Sequence, residues 1–162
     1  MKRLFLILTL SLFAIAGLSA QTLPDVQVET QEGEIIAVRD LVGKKPLVIC
    51  YWSIACKPCI QELNAINDQI EDWRKEASFE VIAVSVDDAR LKATAKAKAA
   101  SLGWDFTCIY DSNQSLKRAM NVSLTPHSFV VDKSGKIVLS HSGYTPGSEQ
   151  LLIDKVVEIS KK

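Results

Sequence analysis

The sequence has no excess of charge of either sign: 19 Lys and Arg stand against 19 Asp and Glu. That balance excludes a nucleic-acid binder, which needs positive charge clustered on one face. There is also no internal repeat, no Pro-, Gly- or Ser-rich linker and no low-complexity tract, so neither a solenoid nor a string of domains is expected. Histidine is limited to two residues and cysteine to four. The long uncharged stretch, Leu4 to Leu18, falls short of the ~20 apolar residues that a membrane-spanning helix requires.

That stretch has a different explanation. Lys2 and Arg3 precede it and the small residues Ser19-Ala20 follow it. Charge, apolar run and small residues in that order form a secretory signal peptide over residues 1–20, with cleavage after Ala20. An uncleaved segment would instead serve as a membrane anchor. No cysteine lies near the junction, so there is no lipid-attachment site. The domain is expected over residues 21–162. Loss of Lys2 and Arg3 turns the balanced charge into a net −2. The lysine-rich stretch "RLKATAKAKAA" reads as the exposed face of an amphipathic helix rather than as a docking patch. Export places the chain in an oxidising compartment, the periplasm, where cysteines tend to pair.

Along the chain, "VQVETQEGEIIAV" alternates around Glu32-Gly33 and reads as a β-hairpin. "PLVICYW" is a continuous apolar run, as in a strand buried on both faces. Ile60, Leu63, Ile66, Ile70 and Trp73 recur every three or four residues and mark an amphipathic helix. "FEVIAVSV" is a second buried strand, followed by a helix from Ala89 to Leu102. "DFTCIY" and "NQSLKRAM" form a small β-α insert. "HSFVVD" and "KIVLSHSG" flank Lys133-Ser134-Gly135 as a second hairpin, and "GSEQLLIDKVVEIS" closes the chain as a helix. This order implies an α/β fold: a mixed central sheet with helices on both faces.

The chemistry concentrates in Cys56-Lys57-Pro58-Cys59, where the first buried strand runs into the first helix. Unpaired N–H groups and about half a positive charge at a helix N-terminus favour an anion there. Cys56 sits at that end, so its thiol is expected to ionise below the ~8.5 of a free cysteine, with Lys57 adding a cation. Pro58 falls in the first turn, where a missing N–H costs little. Cys59, one turn on, faces inward. The pair divides the work: Cys56 exchanges with a substrate sulfur and Cys59 resolves the mixed disulfide.

With "LVICYWSIACKPCIQEL", "VIAVSVD" and "SLTPHSFVVDKSGKIV", the chain resembles the thioredoxin superfamily, and more closely its TlpA/ResA-like exported thiol–disulfide oxidoreductases. The resemblance implies a thioredoxin-like fold and a redox-active Cys56–Cys59 disulfide. It implies a cis peptide at Thr125-Pro126, with the Thr125 backbone pairing with a substrate peptide; Lys57 and Pro58 would border the same contact. It also singles out Glu62, the glutamate of a C-x-x-C-x-x-E pattern. Cys56, Cys59 and Glu62 step along one helix side, so Glu62 is placed to exchange protons with Cys59. The other reading is a solvent-facing glutamate favoured by the helix dipole.

Three departures accompany the resemblance. Thioredoxins carry a buried aspartate six residues before the nucleophilic cysteine, and that position here is Cys50. It reads as a small buried hydrophobe, or as a thiol able to reach Cys59. Cys108 reads as core, with a Cys50–Cys108 bridge as the alternative. Ala55 stands where thioredoxins have tryptophan, and the inner dipeptide is Lys-Pro.

The function implied is reduction of protein disulfides, with the paired haem-binding cysteines of apocytochrome c as one substrate in the family resembled. Partners would be disulfide-bearing proteins and a membrane-embedded thiol electron donor, with the chain acting as a monomer and needing no cofactor or metal. The alternatives are a disulfide oxidase or isomerase, a copper-binding protein using His127 beside the dithiol, or a peroxidase with Ser53 in the place of the peroxiredoxin threonine.

Overall fold

The computed structural model describes residues 21–161, so the signal expected over residues 1–20 lies outside the described residues. Seven strands form one sheet. They are β1 (Gln27–Thr30), β2 (Ile35–Ala37), β3 (Leu47–Trp52), β4 (Glu80–Ser85), β5 (Thr107–Tyr110), β6 (His127–Val131) and β7 (Ile137–Ser142). The helices are α1 (Lys57–Glu76), α2 (Lys92–Leu102), α3 (Ser115–Ala119) and α4 (Gln150–Ser160). The order across the sheet is β2-β1-β5-β4-β3-β6-β7. β3, β4 and β5 run parallel, and the remaining pairs are antiparallel.

All six residues of β3 are buried, as its unbroken apolar sequence requires. Successive side chains leave opposite faces of a strand. Val48, Cys50 and Trp52 therefore join the core under α1, while Leu47, Ile49 and Tyr51 join a second core on the other face. The β3-α1-β4 and β4-α2-β5 crossovers step the same way across the sheet. Right-handed crossovers must then lie on one face, and buried side chains of both α1 and α2 indeed belong to the same cluster. α4 packs there too, through Leu152, Ile153 and Val156. On the opposite face α3 inserts Leu116, with Met120 just beyond it, beside a 3₁₀ turn at Val38–Leu41 that periodicity did not foretell.

The lysine-rich helix is not a free basic face. Lys92 and Lys96 hold Glu29 of the first hairpin at 2.5 and 2.8 Å, which ties β1 to α2. α2 begins three residues later than the sequence indicated, because the Asp88 carboxylate accepts the Arg90 and Leu91 N–H groups and completes a turn first. Gly103 ends the helix at φ +64°, a left-handed geometry that suits glycine.

Candidate active site

β3, β4 and β6 deliver the site to one end of the sheet. Trp52 closes β3 opposite Ser85 of β4, and Tyr51 pairs with His127, the first residue of β6. The loop Ser53–Ala55, the residues just after Ser85 and the residues just before His127 thus emerge side by side.

Cys56 occupies the capping position of α1. Its sulfur accepts the Cys59 N–H at 3.3 Å, and its own N–H donates to the Ser53 carbonyl at 3.1 Å. Cys56 and Cys59 are joined by a disulfide, with Cα atoms 5.3 Å apart. Cys56 is half-buried and Cys59 is fully buried. Lys57 and Pro58 are exposed beside them, Pro58 within the first helical turn. The asymmetry is electrostatic as well as steric. The outer sulfur meets a backbone N–H at the positive end of a 20-residue helix, whereas the inner one lies in apolar surroundings, which disfavour a thiolate.

The Thr125–Pro126 peptide is cis. Pro126 is buried, and its carbonyl accepts the Gly143 N–H at 2.9 Å, which fastens the loop to the end of β7. Thr125 is half-buried, and Leu124 beside it is 75% exposed.

Glu62 does not face solvent. It is 1% exposed, among the most enclosed polar side chains of the described residues. Its Oε1 accepts the Ser128 hydroxyl at 3.1 Å, and its Oε2 is buried with no protein partner. Burial pushes its carboxyl up to about 7; the Ser128 hydroxyl opposes that shift and negative charge on Glu149 adds to it. Glu149, also buried, stands at the start of α4 and accepts the Gly147 N–H at 2.9 Å.

Cys50 sits in the α1-facing core with Cys59, directly across from Ser128 in the β3–β6 register. It is free and fully buried, and burial holds its thiol well above the ordinary range. A Cys50–Cys108 bridge is ruled out: Ala83 lies between them, so the two are separated by two strand spacings. At ~4.8 Å per spacing that exceeds the ~7 Å limit for bridged Cα atoms. Cys108 is half-buried, its thiol pushed up to about 11 by burial.

His127 does not approach the dithiol. It is in phase with Phe129 and Val131, on the face away from α1, where its Nε2 meets the Ser140 hydroxyl at 2.9 Å. Among the described residues no cluster of three or more His, Cys, Asp or Glu could hold a metal.

Three residues of this region carried no distinct signal in the sequence. Ser128 is a polar residue in an apolar strand, and only the β3–β6 register shows that it faces Glu62. Asp87 follows β4 and accepts the Ile54 N–H at 3.1 Å and the Ser85 hydroxyl at 2.9 Å, which anchors the loop ahead of Cys56. Glu149 is eighty-seven residues from Glu62 and becomes a neighbour only when α4 docks.

Residues 20–140 match the AhpC/TSA family profile. The chain belongs to this family of the thioredoxin superfamily. A thiol–disulfide oxidoreductase ResA from Bacillus thuringiensis (strain Al Hakam) is 31% identical over 115 residues. That match covers 71% of this chain, which spans only 64% of the relative's length. A solution structure of an uncharacterized thioredoxin-like protein from Porphyromonas gingivalis is 43% identical, with a TM-score of 0.77 over 86% of this chain and 92% of that one. The thioredoxin domain of a thiol-disulfide oxidoreductase from Bacteroides vulgatus is 19% identical with a TM-score of 0.69, over 87% and 96% of the two chains, and shows the shared fold alone.

Proposed function

We propose that the protein is an exported thiol–disulfide oxidoreductase that reduces protein disulfides through Cys56 and Cys59. The observation that carries this reading is the unequal placement of two bonded sulfurs, one capping a helix at the surface and one enclosed beneath it. In the reduced protein the Cys56 thiolate attacks a substrate disulfide, releases one substrate sulfur and forms a mixed disulfide. The Cys59 thiol then gives its proton to Glu62 and attacks Cys56, so the second substrate sulfur leaves as a thiolate and takes up a proton. Two electrons pass from the dithiol to the substrate, and Cys56–Cys59 is left oxidised.

Thr125 and cis-Pro126 border this exchange, and a substrate strand pairs with the Thr125 backbone. Exposed Leu124, Lys57 and Pro58 complete the contact surface. Residues 1–20 act as the signal that delivers residues 21–162 to the periplasm as a monomer. A membrane-embedded thiol donor regenerates the dithiol there, since an oxidising compartment does not. The curated relatives are named ResA thiol–disulfide oxidoreductases, and the paired cysteines of apocytochrome c are the substrate class proposed by resemblance.

Two features support reduction over oxidation. A buried carboxyl beside the dithiol disfavours negative charge on the inner sulfur. A reduced form whose inner sulfur is not stabilised as a thiolate gives up its electrons more readily, which lowers the potential, whereas Lys57 and the helix N-terminus at Cys56 act in the opposite direction. A proline directly before Cys59 is also a feature of the reducing members resembled. The test is turnover of insulin disulfides by the reduced protein with dithiothreitol as donor, in parallel with hydrogen peroxide as substrate. Insulin reduction that is lost in Cys56→Ser supports the reading. Peroxide consumption without insulin reduction would replace it with a peroxidase.

A further inference from the structure

Strand β6 is apolar at Phe129, Val130 and Val131, yet it directs one hydroxyl into the core beneath α1. Ser128 is 1% exposed, opposes Cys50 across the sheet, and donates to Glu62 Oε1 at 3.1 Å. A carboxylate has room for about four hydrogen bonds, and here one oxygen has a donor while the other, buried, has no protein partner. A protonated carboxyl keeps an O–H on one oxygen and accepts on the other. A hydroxyl donor committed to Oε1 therefore assigns the proton to Oε2.

We propose that Ser128 is the positioning residue of the site: its hydroxyl holds Oε1 of Glu62, leaving Oε2 as the oxygen that takes the proton of Cys59. The proposal rests on the dithiol reading above. Cys59 and Glu62 are three residues apart on one buried helix face, and such side chains lean back toward the helix N-terminus. The step is local: the Cys59 S–H bond breaks, its proton goes to Oε2, and the sulfur's electron pair forms the bond to Cys56 as the substrate sulfur leaves.

The groups that face Glu62 come from every element packed around it. Cys59 lies on α1, Cys50 on β3, Ser128 on β6, Glu149 at the start of α4 and Tyr144 in the segment before it. Burial and then the Glu62 charge push the Cys50 thiol well up, against the Ser128 hydroxyl, which favours its ionisation. Cys50 does not compete as the acid. Glu149, whose carboxylate accepts the Gly147 N–H, opposes ionisation of Glu62, and Glu62 in turn opposes ionisation of Tyr144. Ser128 is the only one of these groups that stabilises the Glu62 anion.

The sign of the effect follows. Without the hydroxyl, Glu62 holds its proton to higher pH, so at neutral pH less of it is available as a base. The experiment measures single-turnover oxidation of the reduced, full-length mature protein by insulin against pH, together with the Glu62 side-chain carboxyl titration by carbon-13 NMR. Ser128→Ala is expected to move both midpoints up by about one pH unit and to slow turnover at pH 7 about fivefold. Ser128→Thr, which retains the hydroxyl, is expected to behave as the wild type. Ser128→Ala added to Glu62→Gln is expected to change nothing further. The inference is overturned if Ser128→Ala leaves the NMR midpoint in place, if threonine fails as alanine does, or if the alanine effect persists without Glu62. Both readouts are taken on variants whose circular dichroism matches the wild type; should Ser128→Ala misfold, Ser128→Val, the isostere of the threonine variant without a hydroxyl, carries the same expectations. A pH profile unchanged in Glu62→Gln would instead remove the proton-transfer reading itself, whereas a profile flattened by Glu62→Gln but unmoved by Ser128→Ala would sink only the role of Ser128.

Discussion

Glu62 is the residue where sequence spacing, burial and acidity meet. A carboxyl raised to about 7 in the folded chain and near 4.5 when unfolded binds more protons folded than unfolded between those values. Stability from this group is complete below about pH 4.5 and is lost as pH rises through 7. The loss is on the order of 3 kcal/mol, since a pKa difference of one between the two states is worth ~1.4 kcal/mol. Glu62→Gln, a neutral isostere, is expected to flatten the decline in urea-unfolding free energy between pH 4.5 and 7.5. A wild-type decline that survives the substitution would assign it to another group. The helix spacing placed Glu62 beside Cys59 but left two orientations open, because an i, i+3 position near a helix start borders both the core and the solvent. Burial depends on how α4 packs beside α1 on the same face of the sheet, and nothing within the C-x-x-C segment encodes that.

At the scale of elements, the site is where loops leave three adjacent strands. Asp87 fixes the first of them by accepting the Ile54 N–H while sharing the Ser85 hydroxyl. Asp87→Ala leaves that amide without its partner, at a cost of about 1–3 kcal/mol for a buried hydrogen bond to a charged group. The expected signature is a lowered unfolding midpoint together with faster hydrogen exchange at Ile54. Exchange in the centre of β3 should accelerate only by the loss of global stability, and less than at Ile54. Acceleration in β3 equal to that at Ile54 would mean that Asp87 supports the whole sheet rather than the loop. The elements themselves were legible because β3 is an unbroken apolar run, β4 is apolar from Val81 to Val84, and α1 keeps a helical apolar period through Trp73. The 3₁₀ turn at Val38–Leu41 was not, since four residues are too short for any period to show. The partners of Lys92 and Lys96 were hidden for another reason: Glu29 lies more than sixty residues away, and ion pairing follows from topology rather than from local pattern.

At the scale of the molecule, the proposed electron flow rests on a buried carboxyl, Glu62, one helical turn from the inner sulfur and a helix N-terminus under the outer one. The first favours a low potential; the second favours reactivity and, by stabilising the reduced Cys56 thiolate, works against a low potential. A reduction potential close to about −270 mV is expected from equilibration with a glutathione or dithiothreitol buffer, and a value close to about −120 mV would mark an oxidant instead. The proposed contact surface around Leu124 and cis-Pro126 would recognise a disulfide-bearing strand by backbone pairing and one apolar side chain, a chemistry common to many substrates.

Exchange at Cys56 depends most on its sulfur being anionic at a pH where an ordinary thiol is not, and the rate of alkylation by iodoacetamide against pH measures this directly. In the reduced protein, with modified sites assigned by mass spectrometry, Cys56 is expected to react with an inflection well below the ~8.5 of a free thiol, while Cys59 and Cys50 stay largely unmodified. A Cys56 inflection at or above that value, or labelling of Cys59 as fast as Cys56, would contradict the division of labour on which the proposed function stands.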